Sequence, residues 1–424
     1  MKIYMVGIGG IGMSALAQLY AHGGHTVFGS DREVSPTTAL LESKGIAVLI
    51  GQKAENVPAD ADLLVYSDAI PTTNSERVRG HELGIKELSY FEALGEVSKN
   101  KKTIAVAGTH GKTTTTGMLA KILIDAGAKP TVIVGSITKD FGSNFVAGDS
   151  NIFVVEACEY QDHLLDLSPS ILVITNLEWD HTDFFPSLAA LQETFRVAVS
   201  KVPKDGLIVT NPSDPNIAPV LLGAQATILD YTKEQAPELS LIGEFNKMNA
   251  RAAKATTKAL ISVGEEEINT SLADFKGTWR RFEYKGETDS GATVYDDYAH
   301  HPTAVRETIR AVHERFPEKK IIVAFHPHLY SRTRDLMEEF TRAFDEADHV
   351  LLAPIYAARE ESIEGVSSTV LAEKINAKKS GLAEAMPSLE AVFLALEKLA
   401  GPDTIIVTMG AGDIYKVANK LVLP

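Results

Sequence analysis

Residues 108–116 read GTHGKTTTT, and the β-rich run TIAVAG (103–108) leads directly into them. Behind them Met118, Leu119, Ile122 and Leu123 recur at helical spacing. Strand, glycine turn, lysine and threonine at a helix start form a phosphate cradle. The glycine-rich backbone wraps phosphate oxygens, Lys112 neutralises β/γ charge, and the Thr113 hydroxyl ligates Mg²⁺. The spacing departs from the full G-x-x-x-x-G-K-[ST] pattern, since Val106 stands where the first glycine belongs. The turn predicts an ATP site at Gly108, Thr109, His110, Gly111, Lys112, Thr113 and Thr114. A P-loop domain carries it.

Upstream lies a second turn of the same kind. Gly7, Gly9 and Gly12 satisfy G-x-G-x-x-G after the run IYMVGI (3–8), and Asp31 follows about 20 residues on. Backbone N–H groups at Gly9, Gly10, Ile11 and Gly12 can approach a diphosphate, and Asp31 can accept from a ribose hydroxyl. NAD and a UDP-sugar offer the same handles, so this turn leaves the nucleotide open. Two phosphate cradles suggest that one nucleotide is spent while the other is a handle on the substrate.

The composition suits an ordinary globular protein, with 424 residues, 45% hydrophobic and 23% charged. A net charge of −15 argues against nucleic acid or an anionic membrane as partner. The only cysteine, Cys158, excludes an internal disulfide. Flanked by Glu156 and Glu159, it reads as a structural thiol. No apolar run approaches the length of a membrane span, and the N-terminus reads as a strand, so the cytoplasm is the expected compartment.

Strand-like runs alternate with helical ones along the chain, which predicts parallel, doubly wound sheets. Polar stretches near 97–102 and 275–280 divide the chain into three α/β domains, 1–99, 100–277 and 278–424. The expected architecture is Rossmann-like, then P-loop ATPase, then Rossmann-like. Helices are expected at 303–315 and 333–346 in the last domain.

A set of longer motifs runs in order through nearly the whole chain: GIGGIGMS (7–14), GTHGKTTTT (108–116), EACEY (156–160), NLEWDHTDFF (176–185), RRFEYKG (280–286), DDYAHHPT (296–303), PHLYSRTRD (327–335) and GAGDI (410–414). This set resembles the Mur ligases, the ATP-dependent amide-bond-forming enzymes of peptidoglycan precursor synthesis. The resemblance implies UDP-N-acetylmuramate on the first domain, ATP on the second and an amino acid on the third. Mur ligases that add later residues usually carry a carbamoylated lysine beside the second metal, and residues 187–200 contain no lysine. That favours the first ligase of the series, which joins L-alanine to UDP-N-acetylmuramate through an acyl phosphate.

The resemblance also assigns residues. Glu156 and His181 would hold a second Mg²⁺ or Mn²⁺, beside the metal on Thr113. Asn246 and Asn249, in GEFNKMN, would meet the adenine, although Phe245 replaces a histidine common in the family. Arg281 would reach the ATP phosphates and Asp297 the ribose. Tyr298 and His300 would line the alanine pocket, with His328 and Arg332 binding carboxylate or phosphate oxygens; Leu329 stands where some relatives carry arginine. Ser14 would join the diphosphate site, and Ser67 the sugar-nucleotide cleft. His326 and Arg334 read as structural. A monomer or weak homodimer is expected.

Three other readings stay open at this stage. One is a recycling ligase attaching a preformed tripeptide to UDP-N-acetylmuramate. The others are an NAD-dependent dehydrogenase with an appended ATPase, and a silent nucleotide-binding regulator.

Overall fold

Short β-branched runs ending at glycine or a polar residue make strands, and amphipathic segments between them make crossover helices. A computed structural model describes residues 1–422. The chain divides into two compact units. The first consists of Met1–Leu177, Leu191–Ala236 and Asn249–Ala273, and the second of Glu178–Ala190, Pro237–Met248 and Asp274–Pro424.

The first unit carries two sheets. β1 (Lys2–Val6), β2 (Thr26–Asp31), β3 (Ala47–Ile50), β4 (Leu63–Tyr66) and β5 (Lys86–Ser89) form a parallel sheet in the order β3-β2-β1-β4-β5. The order reverses at β1, and the glycine turn 7–12 follows β1 at that switch point. The second sheet holds β6 (Lys102–Ala107), β7 (Thr131–Thr138), β8 (Ser143–Val146), β9 (Ile152–Glu156), β10 (Ile171–Ile174), β11 (Leu207–Thr210) and β12 (Thr227–Asp230). Its order is β12-β11-β10-β6-β9-β7-β8, which places the phosphate-loop strand β6 at the centre. Val106 and Ala107 are fully buried there.

The second unit is built on β13 (Glu283–Glu287), β14 (Thr293–Asp297), β15 (Lys320–Phe325), β16 (His349–Leu352), β17 (Ala383–Ala385) and β18 (Thr404–Met409), ordered β13-β14-β18-β15-β16-β17. Alternate residues of its central strands feed two apolar clusters. Val323, Phe325 and Val407 pack with Phe340 and Phe344, while Ile322, Ala324 and Ile406 pack with Leu396 and Ile414.

The α/β architecture is as expected, with two departures. Two edges are antiparallel, β8 against β7 and β13 against β14. The helix expected over 333–346 is instead two short helices, Tyr330–Asp335 and Met337–Phe340, followed by turns. Leu336 breaks it with φ −109° and ψ +23°, which lets Phe340 and Phe344 both enter the core under Phe325.

Candidate active site

The second glycine turn joins β6 to the helix Lys112–Asp125. Gly111 caps that helix at φ +80°, and a Cβ there would lie 2.2 Å from Asn249 Oδ1. Only glycine meets both demands. Partners from the end of β10 brace the turn. The Asn176 carbonyl accepts the Thr109 N–H (3.1 Å), and its side-chain oxygen accepts the His110 N–H (2.9 Å). Thr175 Oγ1 donates to the His110 carbonyl at 2.6 Å. Thr114 is buried in the first helical turn.

Lys112 Nζ folds back onto the turn, donating to the Gly108 carbonyl and, at 2.9 Å, to Glu159 Oε1. Burial alone would lower its pKa; the Glu159 carboxylate outweighs that and raises it, so Lys112 stays charged. Thr113 Oγ1 donates to Glu156 Oε1 at 2.9 Å, and the Gly135 N–H donates to Glu156 Oε2 at 2.7 Å. A hydroxyl and a carboxylate at one point offer the hard oxygen ligands that a divalent cation takes. Cys158, between the two glutamates, is pushed up to about 12 by burial and then by the Glu159 charge. It is no thiolate at neutral pH.

The first turn is braced in the same way. Asp31 Oδ2 accepts the Gly9 N–H at 2.8 Å, and Oδ1 accepts the Arg32 N–H at 2.7 Å. The carboxylate expected to read a ribose thus also holds the turn. Ser14 is fully buried, its hydroxyl donating to the Ile11 carbonyl at 2.9 Å. Ser67 Cβ lies 3.2 Å from where a Gly7 Cβ would be, so it borders the turn. Tyr90 closes over Gly12, and the Asn144 amide donates to the Ile11 carbonyl.

The two turns share a feature at their helix starts. Ser35, Asn74, Ser89, Ser367 and Ser388 each cap a helix with a side-chain oxygen. The helices Ile11–His22 and Lys112–Asp125 start at Gly10 and Gly111 with no side-chain cap. A helix start that opens on a glycine turn is where backbone N–H groups meet an anion.

The second unit gathers the third-domain candidates. His328, Arg332 and Asp180 form one chain, of which Arg332 and Asp180 are buried. Arg332 Nε donates to Asp180 Oδ1 at 2.8 Å, and its Nη1 lies 3.0 Å from His328 Nδ1. Arg332 is only 2% exposed, so much of its guanidinium is spent on protein partners. Asp180 Oδ1 also accepts the His181 N–H at 2.7 Å, fixing His181 at φ +51°. Burial opposes charge on Asp180, and the Arg332 guanidinium together with the neighbouring His181, His301 and His300 overrides it to hold the carboxyl well below the usual range.

Around this chain, the His300 ring stands edge-on to Tyr298 (5.3 Å) and to His328 (6.0 Å). Burial, aided by the Arg332 charge, keeps His300 well below the ordinary imidazole value and His328 at about 3. Both rings are neutral at pH 7. Asp297 accepts the Ala299 and Phe282 N–H groups at 2.7 and 3.0 Å. Burial pushes it up to about 6 against the pull of Arg281, which lies 5.0 Å over the Tyr298 ring. Asn246 donates to the Ile242 carbonyl at 2.7 Å. Glu156 and Asn249 belong to the first unit, His181 and Asn246 to the second.

Residues 2–102 match the catalytic domain of the Mur ligase family, 106–239 its middle domain, and 280–412 the Mur ligase glutamate ligase domain. A UDP-N-acetylmuramate–L-alanine ligase of Salinibacter ruber is 38% identical over 450 residues, covering 99% of this chain and 94% of its own. The chain belongs to the Mur ligase family. The crystal structure of a UDP-N-acetylmuramate–alanine ligase from Thermotoga maritima superposes on this Mur ligase with a TM-score of 0.82. It is 27% identical and covers 100% of this chain and 98% of its own. A murein peptide ligase from Psychrobacter arcticus has a TM-score of 0.72 at 24% identity, covering 99% and 98% of the two chains, and shares the fold.

Sequence reasoning missed several residues that this Mur ligase builds its site upon. Glu159 pairs with Lys112, Asn176 braces the phosphate loop, and Asp180 joins His181 to Arg332. Arg280 is another. It is 3% exposed and pairs with Asp296 at 2.8 Å, while its other nitrogens hold the carbonyls of Gly410 and Gly412. The motifs EACEY, NLEWDH and RRF contain all four, and their charged or amide character beside apolar strands was the available signal.

Proposed function

We propose that this Mur ligase joins L-alanine to UDP-N-acetylmuramate with ATP, through an acyl phosphate. Full-length similarity to the Salinibacter enzyme carries the choice of substrates, and the two strand–glycine turn–helix units support the need for two phosphate-bearing ligands. In this reading the diphosphate of the UDP-sugar lies on the N–H groups at Gly10–Gly12, with Ser67 beside it. The triphosphate lies on the turn 108–114.

Joining a carboxylate to an amine is uphill in water until the carboxylate is activated. A carboxylate oxygen attacks the γ-phosphorus and ADP leaves; the amine then attacks the acyl carbon and phosphate leaves. The approach of two anions requires cations, and Lys112 is held charged at the turn for that purpose. The oxygens of Thr113 and Glu156 fit Mg²⁺ or Mn²⁺, which when bound would neutralise phosphoryl charge; His181 would add a ligand. Asn246 and Asn249 would meet the adenine, Arg281 the phosphates and Asp297 the ribose.

L-Alanine arrives as an ammonium and must lose a proton before it attacks. His300 is placed to take it. Its Nδ1 lies 2.9 Å from the Tyr298 carbonyl, which favours the tautomer with a lone pair on Nε2. Tyr298 and His328 would wall the pocket. Arg332 would offer the rest of its guanidinium to the alanine carboxylate. Among the described residues no helix is long and apolar enough to cross a membrane, which suits work in the cytoplasm on a soluble nucleotide-sugar.

The test is phosphate release from ATP with UDP-N-acetylmuramate and, separately, L-alanine, glycine, L-serine or the tripeptide. Release that depends on L-alanine, with a product of matching mass, supports the reading. Release with the tripeptide alone would make the chain a recycling ligase, and no release with any acceptor would overturn ligase function.

A further inference from the structure

Glu76 is fully buried in the first turn of the helix Ser75–Glu82, and every group that donates to its side chain is neutral. Its Oε1 accepts the Tyr4 hydroxyl (2.9 Å), the Lys53 N–H (3.0 Å) and the Asn56 amide (2.7 Å), while Oε2 accepts the Ser30 hydroxyl. A buried carboxylate that gains four hydrogen bonds from three chain segments costs much desolvation, and a fold seeking stability alone could fill the space with apolar groups.

The bonds lead to the first glycine turn. The Ser30 carbonyl accepts the N–H groups of Gly7 (2.9 Å) and Ile8 (3.0 Å). The next residue, Asp31, accepts the Gly9 N–H on its side chain and the Gly51 N–H on its carbonyl at 2.8 Å. The Gly51 carbonyl in turn accepts Asn56 Nδ2 at 2.8 Å, which returns the circuit to Glu76. Three successive N–H groups of the turn are thus fastened to Ser30–Asp31, and Glu76 fixes that pair from behind.

We infer that Glu76 is the positioning residue of the first glycine turn, setting through Ser30 the shape in which N–H groups at Gly10–Gly12 meet the diphosphate. The inference rests on the proposed binding of UDP-N-acetylmuramate there. Glu76 itself is out of reach of any ligand.

Glu76→Gln keeps the shape but puts an amide donor among four donors, and Ser30→Ala cuts only the link toward the turn. Steady-state kinetics with each substrate varied, plus calorimetric titration with UDP, test both variants. The KM for UDP-N-acetylmuramate should rise about tenfold or more, with weaker UDP binding, while kcat and the KM values for ATP and L-alanine stay within about twofold. Loss of kcat or of folded enzyme with an unchanged KM for the UDP-sugar would make Glu76 a stabilising residue only and overturn the inference. If Glu76→Gln does not fold, Ser30→Ala decides by the same split. Wild-type enzyme that binds no UDP-N-acetylmuramate would remove the functional reading and this inference together; wild-type binding equalled by both variants removes this inference alone.

Discussion

The Thr113 hydroxyl and the Glu156 carboxylate meet at 2.9 Å, one at the start of the phosphate-loop helix and the other at the end of β9. Neighbouring parallel strands bring them together, since β6 pairs with β9 and Val106 stands opposite Glu156. Replacing Glu156 by Gln keeps the volume and removes the charge. Turnover should fall about 10²–10³-fold, in the range for loss of one electrostatic partner of a phosphoryl group. Half-maximal activity should need more Mg²⁺, which a metal titration of initial rates would detect.

Lys112→Ala should abolish phosphate release and leave UDP-N-acetylmuramate binding unchanged, because the two turns cap different helices on different sheets. Calorimetry with the UDP-sugar alone would read this. Equal loss of both functions would contradict separate sites.

Asp180→Ala should destabilise the protein by about 3–5 kcal/mol, since it strands a buried guanidinium. The wild-type pair carries a pH signature as well. Arg332 holds the folded pKa of Asp180 well below the unfolded 3.8, so its stability is fully present above that value and is lost as pH falls through the folded one. Urea unfolding at a series of acidic pH values would display a loss that Asp180→Ala lacks.

Asp297 titrates in the opposite sense. Its folded pKa, about 6, exceeds the unfolded 3.8, so the folded state favours the protonated form. The contribution is fully present below pH 3.8 and is lost as pH rises to about 6. Asp297→Asn should flatten the stability profile across that window, while lowering the whole curve by about 1–3 kcal/mol because one backbone N–H loses its acceptor.

Legibility in the sequence followed the range of the interaction. Glycine spacing, a preceding apolar run and a following helical face are local, and both strand–turn–helix units lie where those patterns put them. Antiparallel edges were not legible: β8 and β13 are short edge strands, and no local pattern tells an antiparallel partner from a parallel one. The break at Leu336 was hidden because 333–346 keeps a helical pattern while the core beneath Phe325 decides the path. Buried polar partners were the least visible. Asp180 and Arg332 are 152 positions apart, Arg280 and Gly412 are 132 apart, and no spacing rule connects them. Ser14 and Asp31 mark the converse case, in which a motif position named for a ligand also serves its own turn.

The interleaved path of the chain bears on how this protein can be dissected and how its parts could be exchanged. The unit built on β13–β18 also contains Glu178–Ala190 and Pro237–Met248, which precede it in sequence. A fragment beginning at residue 278 would carry Arg332 without Asp180, and His301 without the Trp179 carbonyl that lies 3.1 Å from its ring. Three family domains can be drawn as consecutive cassettes, yet a cassette cut there would inherit an unpaired buried cation. Swapping the last domain between relatives therefore means transplanting the NLEWDHTDFF segment with it.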